Sequence, residues 1–407
     1  MTIITILASL AAIALLLTTA QVVLVWRVRR RPFALRPPAA GDSRPDGSSG
    51  RPTPRFVSVL KPLSGPEDGL EENLESFARL EGVRYEVILS VERRDDPAAE
   101  VARRVIARHP DAPFHLVVGE GSRARIRNGK VDRLLVASRY ANGDIFVVSD
   151  ANVRVEPQDL ATTVALFDDP KVGCVSNLFV GEGARSLGSV IESLHLLTFV
   201  VPGTAIAEAG RIPCVVGKSM AMPRHVLESI GGFGAFLDVL AEDQAIGLAV
   251  KEAGFQVVLS PVVVRNVVVT RSLRRALDRQ VRWGKIRFAF SAATYSTEIL
   301  LNPLALALAA LAAGALLAPE LVPALAAFAA VTSFVRILQA GLLARLTGAR
   351  LRTRHLTLMP VKDLLQLATQ VVPYFSCHVS WHGHLTRIGP GTVLLPAGWH
   401  VPQLSAS

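Results

Sequence analysis

The chain has 407 residues, 50% of them hydrophobic, with a mean hydropathy of +0.37 and a net charge of +10 from 44 Lys and Arg against 34 Asp and Glu. So much apolar content exceeds the needs of one water-soluble domain and implies membrane segments, while the seating of many arginines beside apolar runs accounts for the charge without a nucleic-acid partner. Three scattered cysteines, Cys174, Cys214 and Cys377, lack C-x-x-C spacing and point to neither a disulfide framework nor a zinc site.

Residues 3–26 are almost uninterruptedly apolar, about the 20 residues a helix needs to cross a bilayer. Arg27, Arg29, Arg30 and Arg31 follow, so the spacing predicts a spanning helix over 1–26 with Met1 outside and the arginine end in the cytoplasm. A cleaved signal peptide is the rival reading, disfavoured by the length of the run and by the absence of a basic segment before it. Residues 27–55 are basic and rich in Pro, Gly and Ser, and read as a linker.

Over 56–268, short β-rich runs at 56–60, 85–91, 114–118 and 144–149 alternate with helical stretches near 67–80, 97–109 and 128–141. That alternation predicts an α/β domain with a mostly parallel sheet covered on both faces, whose ligand binds at the carboxyl ends of the strands. Residues 181–197, with Glu192 and His195, predict an apolar-rich helix that either packs on the sheet or dips into the membrane face. An Arg-rich interfacial helix is expected over 269–297, then about three membrane segments within 298–383 and a tail over 384–407. The apolar runs are 299–318, 321–343 and roughly 356–380; Arg336, Lys362 and Asp363 lie inside them and should face protein or a polar cavity, which makes the third run partly interfacial or re-entrant.

Four acidic or basic motifs carry the chemistry. Asp95-Asp96-Pro97 follows the second predicted strand; it is an ordinary helix start, and it also sets a carboxylate where a uracil or ribose could donate to it. The fourth strand ends in Asp150, with Asn152 two residues on, a reduced D-x-D arrangement of oxygen ligands for Mg²⁺ or Mn²⁺ beside a diphosphate. Lys61 and Lys130 are candidate phosphate partners. Glu242-Asp243 opens a predicted helix over 242–254, where acidic residues suit the positive helix end and where Asp243 could be the base that takes an acceptor hydroxyl's proton. R-Q-V-R-W at 279–283 reads either as an interfacial amphipathic helix with Trp283 among headgroups or as a site in which Arg282 and Arg279 neutralise a leaving diphosphate and Trp283 stacks near the acceptor. Cys377, His378, His382 and His384 cluster near the last apolar run without an evident carboxylate partner, a weak metal candidate.

Taken as an ordered set, V-S-V-L-K-P-L at 57–63, N-L-E-S-F at 73–77, Y-E-V-I-L at 85–89, D-D-P at 95–97, S-D-A-N-V-R-V at 149–155, V-G-K-S at 216–219, A-E-D at 241–243 and R-Q-V-R-W resemble the ceramide glucosyltransferase family, a membrane branch of the inverting GT-A glycosyltransferases. The resemblance implies a GT-A nucleotide-diphospho-sugar transferase fold, Rossmann-like, with transmembrane helices. It implies that Asp96, with Asp95 beside it, meets the nucleotide, that Asp150 holds the nucleotide and metal, that Asp243 is the base, and that Arg279, Arg282 and Trp283 line the diphosphate and acceptor. The expected reaction moves glucose from UDP-glucose to a ceramide-like lipid hydroxyl in the bilayer, with inversion. Other lipids such as hopanoids, other UDP-sugars, a processive polysaccharide synthase and a non-catalytic membrane scaffold are the alternatives. Two departures stand out: Val200-Val201-Pro202 where ceramide-using eukaryotic members carry His-Pro, and Asp150-Ala151-Asn152 where they carry Asp-Ser-Gly. Seven lysines against 37 arginines suggest a GC-rich bacterial source, hence an inner-membrane protein with its catalytic domain facing the cytoplasm.

Overall fold

A computed structural model describes residues 1–31, 55–119, 128–381 and 384–396. Of the linker predicted over 27–55, residues 32–54 lie outside the described residues, as does His382, while 27–29 prolong the first helix. The chain opens with one long helix, α1 (Thr2–Arg29), and then builds β1 (Phe56–Pro62), α2 (Leu70–Phe77), β2 (Arg84–Val91), α3 (Pro97–Arg108), β3 (Phe114–Val118), α4 (Gly129–Tyr140) and β4 (Ile145–Ser149). These match the four predicted strands and three predicted helices to within a few residues, because β-branched runs alternate there with amphipathic stretches that carry their own caps. Asp96 caps α3 with Pro97 at its first position, and Asn128 caps α4.

Next come β5 (Val153–Arg154), α5 (Asp159–Ala165), β6 (Val172–Glu182), α6 (Leu187–His195), α7 (Val201–Ala209), β7 (Ser219–Pro223), α8 (Arg224–Ser229), α9 (Glu242–Glu252) and β8 (Gln256–Val267). The sheet order is β3-β2-β1-β4-β7-β6-β8-β5. Its first four strands are parallel, as expected, but β7 runs antiparallel between β4 and β6, and β5 antiparallel to β8. β6 and β8 pair parallel, so the sheet is mixed, with β7 and β5 reversed in an otherwise parallel set of strands. One face buries Val57, Val59, Leu74, Phe77 and Val105 under α2, α3 and α5; the other buries Leu60, Ile88, Leu134, Met222 and Ile246 under α4, α8 and α9.

The 181–197 stretch packs on the sheet. α6 is followed by a turn of π-helix over Leu196–Val200 and then by α7, and although Leu187–Ala209 is apolar enough to cross a membrane, 78% of its most apolar window is buried inside the protein. α10 (Leu273–Phe290), which carries R-Q-V-R-W, packs against α6 and against α15. After α11 (Ala292–Thr297) the chain forms α12 (Pro303–Leu317), α13 (Val322–Thr347), α14 (Thr353–Leu356) and α15 (Met359–Val371).

Besides Leu187–Ala209, α1 and the helical stretch Pro319–Thr347 have the length and apolarity to cross a bilayer, and a bent pair, Ala292–Leu301 with Pro303–Leu317 at 69°, makes a broken or re-entrant segment. Leu16 is 70% and Leu316 83% exposed, an apolar surface that water would not tolerate over such an area. In the third late run, expected to be partly interfacial or re-entrant, α15 has 13 residues, too short to span, and its buried face carries Lys362, Asp363, Gln366 and Gln370. Nor is the stretch after it only a tail. β9 (His378–Trp381), β10 (His384–Ile388) and β11 (Leu394–Pro396) form a small antiparallel sheet, and Val379, Ile388 and Leu394 pack with Leu240.

Candidate active site

Asp150 lies at the carboxyl end of β4, at the junction where β7 reverses direction. Ser149 pairs with Ser219 across the antiparallel β4–β7 ladder, and the next rung faces Asp150 with Lys218, whose carbonyl accepts from the Asp150 N–H at 3.2 Å. Register thus fixes a lysine opposite the aspartate. Lys218 Nζ sits 2.8 Å from Asp150 Oδ2 and donates to Asn152 Oδ1 at 2.9 Å. Lys130 Nζ reaches the other carboxylate oxygen, Oδ1, at 2.9 Å, and also Glu242 Oε1 at 2.9 Å and the Gly217 carbonyl at 2.9 Å. Burial alone would raise the Asp150 pKa, but the two ammonium groups override it and hold the carboxyl far below its ordinary range.

Lys130 owes its place to Asn128. The Asn128 side chain accepts from the Lys130 and Val131 N–H groups at the start of α4, and its amide donates to Glu242 Oε2 at 2.9 Å and to the Val239 carbonyl at 2.8 Å, tying the beginnings of α4 and α9 together. Burial would lower the Lys130 pKa, yet Asp150, Glu242 and Asp243 together raise it above its usual value, so it stays charged.

Beside Glu242, Asp243 accepts from the Gly217 N–H through Oδ2 at 2.6 Å and from the Gln244 N–H through Oδ1 at 2.8 Å. Burial and the neighbouring Glu242 carboxylate push its pKa up to about 6, against the pull of Lys130 and the two N–H groups. Gly217 is required here by space: a Cβ on it would lie 2.7 Å from Lys130 Nζ and 3.0 Å from Asp243 Oδ2.

The R-Q-V-R-W helix turns two of its residues inward. Arg279 forms an ion pair with Glu192 at 3.2 Å and lies over the Trp283 ring at 4.8 Å; Arg271 holds the other Glu192 oxygen at 2.9 Å. Trp283 packs against a cluster that includes Val153, Phe179, Leu196 and Val200, and its ring centroid is 6.3 Å from that of His195. Half-buried Arg282 has its pKa pushed down to about 10 by burial and by Arg279 and Arg271.

Lys61, Asp95 and Asp96 are the other candidates of the site. Lys61 is fully buried, donating to the Asp150 carbonyl at 2.9 Å and lying 4.0 Å from the centre of the Phe77 ring, so it braces the Asp150 turn from beneath rather than meeting a phosphate. Burial pushes its ammonium down to about 7. Asp95 faces solvent and is held by Arg93 at 2.7 Å. Asp96 stands at the site's edge, where Oδ1 accepts from the Gly65 and Ala98 N–H groups at 2.9 and 2.8 Å.

The metal expectation is Mg²⁺ or Mn²⁺ held by Asp150 and Asn152. Both Asp150 oxygens and the Asn152 oxygen are engaged by lysines, and no set of three or more His, Cys, Asp or Glu side chains able to hold a metal occurs among the described residues. A divalent ion seated on Asp150 would have to displace Lys130 and Lys218 from its two oxygens. The donor set of this arrangement does not fit a divalent cation.

Lys218, Gln244 and Asn128 were not singled out as site residues from sequence; Lys218 stands in the quoted V-G-K-S motif, but only strand register sets it against Asp150. Arg133, buried in α4 and within electrostatic reach of Asp96 and Asp150, had no motif to mark it.

A curled mixed sheet with acidic residues at its strand ends, joined to helices apolar enough to cross a membrane, is the architecture expected of a GT-A fold with membrane segments. The chain belongs to glycosyl transferase family 21, whose profile matches residues 6–394. It is 27% identical over 239 residues to ceramide glucosyltransferase 3 of Caenorhabditis elegans, a match covering 57% of this chain and 50% of that protein. To the ceramide glucosyltransferase of Komagataella phaffii it is 25% identical over 195 residues, covering 42% and 38%. The chain thus spans about half the length, or less, of these curated relatives. Among solved structures, it is similar to the mannosyltransferase PcManGT of Pyrobaculum calidifontis, determined with GDP-Man and Mn²⁺, at a TM-score of 0.47 and 21% identity over 90% of this chain and 99% of that one. It is also similar to glucosyl-3-phosphoglycerate synthase of Mycobacterium tuberculosis, at 0.36 and 19% over 56% and 77%.

Proposed function

We propose that this protein transfers a hexose, glucose first among candidates, from a UDP-sugar to the hydroxyl of a membrane lipid with inversion at the anomeric carbon. The observation that carries the reading is the half-buried Asp243 carboxylate, next to Glu242, whose partner Lys130 also holds Asp150, in a family 21 chain with membrane-length helices. Asp243 would accept the proton of the acceptor hydroxyl as that oxygen attacks the anomeric carbon, while the bond from that carbon to the diphosphate breaks and its electron pair leaves with UDP. A single carboxylate base is what one in-line displacement needs. Arg282 and Arg279 would face the leaving diphosphate, and Asp96 would meet the nucleotide at the rim. Mg²⁺ or Mn²⁺ would enter this reading only with Asp150 released from both lysines, and no step here passes through a metal.

The catalytic domain would lie on the cytoplasmic side of a bacterial inner membrane, the side to which Arg27, Arg29, Arg30 and Arg31 hold the end of α1. Ceramide is the first acceptor to test. Val200 packs in the same cluster as Trp283, so the replacement of His-Pro by Val200-Val201-Pro202 lies close to where an acceptor would stack and favours a different lipid, a hopanoid among them. Detergent-purified protein incubated with a panel of UDP-sugars and with ceramide, diacylglycerol and a hopanoid should give a hexosyl lipid, identified by mass spectrometry. UDP-sugar binding with no lipid product from any acceptor would overturn the lipid-transferase reading.

A further inference from the structure

Lys218 differs from Lys130 in what its ammonium group has left to give, and from the fully buried Lys61, which braces the Asp150 turn, in being slightly exposed. An ammonium carries three N–H donors and no acceptor. Lys130 uses three, on Asp150 Oδ1, Glu242 Oε1 and the Gly217 carbonyl. Lys218 uses two among the described contacts, on Asp150 Oδ2 and Asn152 Oδ1. It is 7% exposed, and strand register holds its backbone opposite that of Asp150, so its position belongs to the sheet and not to a wandering side chain.

The charge around it is arranged for an anion. Arg279 lies within electrostatic reach of Lys218, and both, with Arg271, lie within electrostatic reach of Glu67, an exposed carboxylate. Arg271 and Arg279 share the single Glu192 carboxylate. Asp150 itself is engaged by an ammonium group on each oxygen, although one of them, Lys130, is shared with Glu242.

We propose that Lys218 is the diphosphate-binding cation of this site, taking the place of a divalent ion, so that a nucleoside diphosphate binds this chain without metal. The third N–H of Lys218 turns to a phosphate oxygen while the other two stay on Asp150 and Asn152, which aim it. Lys130 keeps Asp150 charged and in place. The inference rests on the donor-site reading above and adds to it the group that meets the diphosphate.

The test is calorimetric titration of UDP into the full-length, detergent-purified protein, once with EDTA and once with Mn²⁺. The dissociation constants should agree within about twofold, since no bound metal contributes to the affinity. Lys218→Met should weaken UDP binding in EDTA by about tenfold or more, the value of a charge-assisted contact, leave uridine binding unchanged, and be largely rescued in Lys218→Arg. UDP binding that disappears in EDTA and returns with Mn²⁺ would overturn the proposal while keeping the donor site. Unaltered UDP affinity in Lys218→Met would also overturn it. Absence of UDP binding under both conditions would sink the donor reading itself. The EDTA and Mn²⁺ comparison uses the unaltered chain, so it decides the matter even if a Lys218 variant misfolds.

Discussion

Asp243 is poised by opposing influences: burial and the adjoining Glu242 carboxylate raise its pKa to about 6, while Lys130 and two backbone N–H groups restrain the rise. A base must be unprotonated to act, so kcat/KM should climb as the pH passes about 6, and this acidic limb should vanish in Asp243→Asn together with about 10²–10⁴-fold of the rate. A pH series of initial rates on both proteins checks this; a variant with full activity would remove the assigned base. Stability runs the other way. The native carboxyl binds its proton below about 6 and the unfolded one only below its ordinary value of 3.8, so this group's contribution to stability is largest at low pH and falls as the pH rises through about 6. From the sequence the identity of Asp243 was legible, because an acidic pair opening a helix after a small-residue loop is a local pattern. Its bond from the Gly217 N–H was not, since that depends on how the chain entering β7 lies against the start of α9.

Elements meet at the β4, β7 and α9 junction with little slack. A methyl group on Gly217 would press on Lys130 Nζ and Asp243 Oδ2 together, so Gly217→Ala should lower kcat by about 10²-fold, as expected for a displacement near 1 Å in a reacting site. The melting temperature should shift little, because the far end of a lysine can yield; a large fall in stability with unchanged kcat would contradict this account. The same junction shows where pattern reading stops. Strands β1 to β4 and helices α2 to α4 announce themselves through β-branched runs and caps, each within a dozen residues. The reversal of β7 leaves no such trace, because strand direction is settled by which partner covers Met220 and Ala221, some 70 residues after β4 begins. Lys218 was hidden for that reason, and Lys61 was misjudged because a lysine at a strand end looks the same in sequence whether its ammonium points to solvent or under the neighbouring turn.

Across the whole molecule, the membrane helices and the transferase domain are fastened by charged and polar pairs. Arg336 in α13 holds both oxygens of Asp363 in α15 at 3.0 and 3.2 Å and reaches Gln339, which in turn donates to Thr18 and Thr19 of α1; Lys362 lies 3.2 Å from Asp363. Two cations thus share one anion. Asp363→Asn strands both and should cost about 3–5 kcal/mol, whereas Arg336→Met leaves a matched Lys362–Asp363 pair and should cost less; unfolding midpoints in detergent would test the order, and the reverse order would refute it. That Arg336 and Asp363 avoid lipid was readable from their charge, but their partnership was not, because it joins segments 27 residues apart across a turn. At the other end of α1, Arg29 donates to the carbonyls of Leu346 and Pro261, and Arg31 pairs with Glu208, so the helix, α13 and the transferase sheet are bolted together where the apolar run stops. Such a joint sets a fixed height between strand ends and bilayer. With a lipid acceptor, the search for substrate then runs in two dimensions, and the relevant abundance is the acceptor's mole fraction among its neighbours, so that inert detergent or lipid added at constant bulk acceptor dilutes the substrate as surely as added buffer dilutes a soluble one.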